Sequence, residues 1–231
     1  SYNSNQAGGI EVADYTTASG SNAFAVGNDN LASGSSSIAM GRWTIASGDD
    51  STAMGANTEA SGIASTAMGE ETIASGSRST AMGQNTIAGG YASTAMGYET
   101  TASGSSSTAT GKGTIASGNY STAMGYNTEA IGIISTTMGS RTIASDYSSL
   151  VVGEYNLAGS NPYDTVNIFN IDRPAFVIGN GTGLDSRSDA LVVKFNGDAT
   201  LAGSMTATSF IGDGSQLTNL PSSGADSPFS Y

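Results

Sequence analysis

The chain has no cysteine and no histidine. Without cysteine there is neither a disulfide framework nor a thiolate metal site. Without histidine as well, the usual general bases and nucleophile–base pairs are gone, and only carboxylates and lysine remain for catalysis. No enzyme activity and no cofactor are expected. Basic residues are almost as scarce: Arg42, Arg78, Lys112, Arg141, Arg173, Arg187 and Lys194 stand singly along a chain of net charge −12. Phosphate binding needs a clustered basic face, so nucleic acid is not an expected partner. The acidity itself reads as plain solubility. Charged residues make up 11% and aromatics 7% of the 231 residues, too little bulky apolar matter for a conventional core. No stretch approaches the roughly 18 apolar residues of a membrane span, and no charged-then-apolar signal segment opens the chain, so direct membrane insertion is not expected. Because it begins at Ser1 without Met, the chain reads as a processed or excised piece of something longer.

What the chain has in quantity is glycine, 32 residues of it, in a fixed rhythm. Glycine falls at every seventh position from Gly20 to Gly153, with Asp146 the one exception, and two residues before each place stands alanine, except at Thr137 and Val151. A sevenfold spacing first brings a coiled coil to mind. That reading fails, because a coiled coil needs large apolar residues at its seam, and this pattern puts a helix breaker into every heptad and surrounds it with Ser and Thr.

The residue just before each glycine sets the true period. Met40, Met54, Met68, Met82, Met96, Met124 and Met138 alternate with Ser33, Ser47, Ser61, Ser75, Ser103, Ser117 and Ser145. The unit is therefore 14 residues in two unequal halves, such as Ser51-Thr52-Ala53-Met54-Gly55 and Thr72-Ile73-Ala74-Ser75-Gly76. Each half reads as a short strand followed by a turn, with glycine supplying either unusual dihedrals or a close backbone approach. Two strands per repeat, stacked as parallel coils, predict an all-β solenoid, a flattened β-roll. At about 4.8 Å per coil, some ten coils make a rod section of about 50 Å.

Side chains alternate across a strand, so the alanines of both halves point inward and leave room only for methyl groups. The opposite face of one strand shows Thr and Met. The other shows Ser with Ile45, Ile73, Ile87 and Ile115, interrupted by Glu59 and Glu129, which marks it as solvated. The methionine file has no such acidic interruption, and a soluble monomer rarely exposes so long an apolar stripe. The methionines are therefore expected to form an interface with another copy of the chain. Residues 1–17 are expected to cap the roll of residues 18–159, with a β-rich connector over 160–204 and a tail or stalk-entry segment over 205–231.

The Ser-Thr-Ala-Met-Gly and Thr-Ile-Ala-Ser-Gly halves resemble the head repeats of YadA-like trimeric autotransporter adhesins, over about 140 residues. The resemblance implies a left-handed roll, three chains around one axis, and binding of a host-surface glycan or protein. It differs in carrying Met where that family more often has Ile or Val. A second resemblance covers Pro174–Thr182, Asp189–Lys194, Asn196–Ala199 and Phe210–Pro221. These segments look like the connector of phage tail fibres and large bacterial surface proteins, which often precedes a stalk or a self-cleaving chaperone domain. Both place the chain outside the cell, on a cell surface or a virion or injection-machine fibre, either attaching or merely spacing.

The variable turn positions are where a repetitive scaffold is expected to meet a ligand. Trp43, Tyr91, Tyr98, Tyr120, Tyr126 and Tyr147 are the candidates, since exposed aromatics suit sugar rings and protein surfaces and also pack between coils. The acid pairs Asp49-Asp50 and Glu70-Glu71 sit at turns, where solvated charge is ordinary, and a smooth roll offers no cleft for a glycosidase pair to attack polysaccharide. Asn28-Asp29-Asn30 and Asp185–Asp189 offer oxygen ligands but lack the regular Asp column of calcium-binding rolls, and no metal site is assigned. The Gly179–Gly183 run resembles a phosphate loop only in its glycines. Thr44, Thr58, Thr72, Thr86, Thr100, Thr114, Thr128 and Thr142 form a ladder that could either order ice or stack between coils.

Overall fold

The computed structural model describes residues 10–12, 15–157 and 168–208. They form no helix and fold as the expected roll. A 14-stranded sheet and a 10-stranded sheet face each other. The first begins with Ile10–Val12 and Phe24–Asn28 and repeats every coil to Leu150–Glu154. The second is made of two-residue strands from Thr17–Ala18 to Ile143–Ala144. Each strand pairs in parallel with the strand one repeat on, as in Thr52↔Thr66, Met54↔Met68 and Gly55↔Gly69. The 14-residue period of the sequence is thus the register of the sheets.

The core is the alanine column, fully buried from Ala25 to Ala130. It is flanked by two buried hydroxyl columns, one of serine from Ser37 to Ser149 and one of threonine from Thr44 to Thr142. The threonine ladder therefore lies inside the roll and offers no surface to ice. Each threonine is the residue before a two-residue strand, two places ahead of an inward alanine, and so shares its direction.

The glycines of the two halves do different work. Gly55 has φ +127°, and a Cβ there would lie 1.9 Å from the Gly69 carbonyl oxygen. Gly62 needs no left-handed backbone, but a Cβ on it would meet the Gly76 oxygen at 2.1 Å. The left-handed turn conformation falls instead on the second residue after each glycine, whatever that residue is: Asn57 and Ala64 both have φ 54°, and even β-branched Ile134 has φ 62°. These corners are held by the neighbouring coil, with Asn57 N–H donating to the Arg42 carbonyl at 3.0 Å and Ala64 N–H to that of Asp49 at 2.7 Å.

Past the last coil the long-strand sheet continues. Pro174–Asn180 adds in parallel to Leu150–Glu154, then Asp189–Lys194 and Ala199–Leu201 follow antiparallel. Among the described residues the connector is thus an extension of the roll's own sheet. The Phe210–Pro221 part of the second resemblance lies outside the described residues. Asp146, the break in the glycine rhythm, lines a cavity of about 150 Å³ at this junction together with Val177 and Asp189. Burial raises the Asp189 pKa above its ordinary 3.8, opposed by the hydrogen bond its carboxylate accepts from Leu157 N–H.

Candidate binding surface

The roll offers two outward sheet faces and two edges where the chain turns. On the long-strand face the methionines stack in register, Met40 on Met54, Met68, Met82 and Met96. Thr110 interrupts the file before Met124 and Met138. Val26 precedes the file, and Val152 and Ile178 follow it, so the column carries no charge. The neighbouring column runs from Phe24 through Ile38 to Thr52, Thr66, Thr80 and Thr94. The methionines are half-buried by one another, with Met124 exposed. The other face carries exposed Ile45, Ile87 and Ile115 beside Glu59 and Glu129, as its alternation predicts.

The six candidate aromatics divide between the edges. Trp43, Tyr98 and Tyr126 lie where the long strand ends; Tyr98 and Tyr126 are its last residues rather than turn residues. Tyr91, Tyr120 and Tyr147 lie on the opposite edge, where the short strand leads into the next long one. Each has its own surroundings. Trp43 donates from Nε1 to Asp29 Oδ2 at 3.1 Å beneath the Arg42 guanidinium, 4.4 Å from the ring centre. Tyr91 accepts a hydrogen bond from Arg78, which also sits 5.5 Å from its ring. Tyr120 is the most open of the six, at 63% exposure on a left-handed corner of φ 59°. Tyr147 is half-buried edge-to-face against Phe169, 6.3 Å between ring centres, and Phe169 meets Phe195 edge-to-face in turn at 4.9 Å. That packing ties the roll to the connector.

The first edge also gathers residues that the sequence reading left scattered. The Lys112 ammonium lies 5.1 Å from the Tyr98 ring centre and 5.9 Å from that of Tyr126. The Arg141 guanidinium lies 5.2 Å from Tyr126 and 5.3 Å from Tyr155, whose hydroxyl accepts a hydrogen bond from it. Arg187, from the connector, closes the series 6.0 Å from Tyr155. Ring and cation alternate along the roll as Tyr98, Lys112, Tyr126, Arg141, Tyr155 and Arg187. At the lower end the phenol of Tyr98 donates to Glu99, and that bond and the charges of Glu99 and Glu71 hold its pKa above the ordinary 10.0. At the upper end Gly113, Asn127, Glu129, Arg141, Leu184 and Arg187 line a shallow cleft of about 310 Å³.

The turn carboxylates face solvent. Asp49, Asp50, Glu70 and Glu71 are exposed, with Asp49 capping the Ser35 N–H and Glu70 accepting from Gln84. Asn30 points into the core, where its amide donates to the Val26 and Gly41 carbonyls and its oxygen accepts from Thr44, so it is spent on structure.

The family described as the YadA head domain repeat (2 copies) matches residues 32–58, 60–86, 88–114, 102–128 and 116–142. This stretch of the chain belongs to that family, and the repeat places it among surface-exposed, adhesin-type fibre segments. No curated protein matches the chain.

Proposed function

We propose that this chain, whose residues 32–142 are YadA head repeats, is a segment of an extracellular homotrimeric fibre that attaches to a host or cell surface through the residues on its edges. The uncharged methionine column carries the reading. It runs the length of the roll, about 50 Å at ~4.8 Å per rung, and repeats in register on the flat long-strand sheet. The other face carries Glu59 and Glu129 in the matching outward position. A stripe of this length is the kind that a second copy covers. Three copies related by one axis would bury it, leaving Trp43, Tyr91, Tyr98, Tyr120, Tyr126 and Tyr147 to whatever ligand the fibre meets.

Sedimentation or light scattering tests the assembly. The expected mass is three times the 23.0 kDa of one chain. Met68→Asp with Met82→Asp would bring carboxylates together inside the interface, where unpaired charge costs several kcal/mol, and should release monomers. A monodisperse wild-type monomer refutes the assembly. Retention of the labelled chain on a panel of cells tests attachment.

A passive spacer is the competing reading. It is favoured by how many edge side chains are already bonded to the next coil, as Trp43 is to Asp29 and Gln84 to Glu70. Consistent absence of cell binding would decide for it.

A further inference from the structure

Lys112, Arg141 and Arg187 stand on one edge with no carboxylate within salt-bridge distance among the described residues, although the chain carries 19 acidic residues. Tyrosine rings hold Lys112 and Arg141 instead, and Arg187, 6.0 Å from the Tyr155 ring, is fixed by bonds to the Arg141 and Asn156 carbonyls, neutral acceptors that leave its charge in place. A ring face attracts a cation through its quadrupole without neutralising its charge, so the ladder fixes three positive groups in position and leaves them able to meet an anion. Groups already held in place lose less freedom on binding.

The spacing narrows the partner. Lys112 and Arg141 are two rungs apart, about 10 Å along the roll, and Arg187 continues the line past Tyr155. That interval suits a polymer bearing one acid group every second sugar. A nucleic-acid strand carries a charge about every 3.4 Å, so three cations at this spacing would neutralise only a minority of its phosphates. The neighbouring cleft adds a place for a neutral ring. Gly113 carries no side chain there, and the Asn127 amide takes the place, its Oδ1 standing 2.1 Å from where a Cβ would be and lining the cleft with a polar group.

We infer that this edge binds an acidic polysaccharide, its carboxylate or sulfate groups meeting Lys112, Arg141 and Arg187 in succession while one sugar ring sits in the cleft beside Asn127 and Leu184. The inference rests on the attachment reading and gives it a ligand class.

The test measures retention of the full chain on immobilised hyaluronate, which carries a carboxylate on every second sugar, keratan sulfate, whose disaccharide carries sulfate and no carboxylate, uncharged dextran and poly(dT). Binding to one or both acidic polysaccharides is expected, weakening as salt rises, with little on dextran or poly(dT). The acidic probe retained identifies the anion. Lys112→Gln, a substitution of an exposed side chain, and the double variant with Arg141→Gln should each weaken retention, the double by at least about tenfold, since bonds to charged groups are being removed. Lys194→Gln, which removes an ammonium paired with Asp198 in the connector and away from the ladder, should leave it unchanged. Circular dichroism establishes that each variant keeps its β spectrum. No retention on either acidic polymer, equal retention on dextran or poly(dT), or equal binding by the double variant overturns the inference. If cells hold wild type and double variant alike, the ligand class falls while the attachment reading stands.

Discussion

Thr86 and Thr44 occupy the same column, both fully buried, and the structure assigns them opposite responses to one substitution. Thr44 Oγ1 donates to Asn30 Oδ1 at 2.8 Å. Thr86 Oγ1 is buried with no hydrogen-bond partner among the described residues. Valine has nearly the same shape, so Thr→Val exchanges a hydroxyl for a methyl with little repacking. At position 86 the change removes a buried polar atom, worth about 1–3 kcal/mol when unpaired. Against this, the lost hydroxyl has no bond to forfeit, so Thr86→Val should stabilise by about 1 kcal/mol or more. At position 44 the same change removes one of two bonds to Asn30 Oδ1, which still accepts from the residue 44 N–H at 2.9 Å, costing about 0.5–1.5 kcal/mol. The two variants should therefore shift stability in opposite directions and differ by about 1.5 kcal/mol or more. Long repeat arrays need not unfold in one step, so the readout is local: hydrogen exchange of the Ile87 and Ile45 amides, which donate to Thr100 and Thr58. Slower exchange at Ile87 in Thr86→Val and faster exchange at Ile45 in Thr44→Val are expected. Loss of protection at Ile87 would show that the Thr86 hydroxyl is paired and would refute the reasoning.

Gly69→Ala should disrupt the roll more than any threonine change. Its Cβ would stand 1.9 Å from the Gly83 oxygen at a φ of +125°, so a sharply lowered melting temperature or insoluble expression is expected. Ala95→Leu overfills a core sized for methyl groups, and a loss of at least 1–3 kcal/mol, read by chemical denaturation, is expected. Asp189 has a raised pKa in the folded protein because burial disfavours its charged form. The native state thus holds this proton more tightly than the unfolded chain. Its contribution is fully present below the ordinary 3.8 and is lost as pH rises through the folded value. Protection factors around Leu157, which remove the intrinsic pH dependence of exchange, should therefore rise on acidification through that window, and Asp189→Asn should flatten that rise. In a spectrophotometric alkaline titration Tyr98 should ionise at higher pH than in Glu99→Gln, which removes the first cause of its raised pKa.

The fold was legible because each repeat column has one structural duty. Alanine two places before glycine marks the inside of both strands, and the alternation of Met with Ser separates the long strand from the short one. The threonine ladder was harder to place, since an inward hydroxyl and an outward one look alike in a sequence, and only its spacing of two from the inward alanine reveals the direction. The left-handed corners were also hidden. Glycine announces the turn, yet the positive φ falls two residues later on Asn57, Ala64, Arg78 or Ile134, where backbone bonds to the neighbouring coil hold it.

The cation ladder escaped for a reason that also bears on function. Tyr98, Lys112 and Tyr126 share a column, each 14 residues from the next, but Arg141 and Tyr155 stand one position further on. Aligned by column, Tyr126 is followed by Ser140 and the series stops. In space the small Ser140 side chain leaves the place to Arg141, which reaches back to the Tyr126 ring from the turn. The series therefore crosses the corner and ends on Arg187 of the connector, whose guanidinium donates to the carbonyls of Arg141 and Asn156. A ladder serving only to stack identical coils would have no need to leave its column or to extend beyond the roll. The bonds of Arg187 fix the connector's cation beside the coil that carries Arg141, so roll and connector together complete the charged edge.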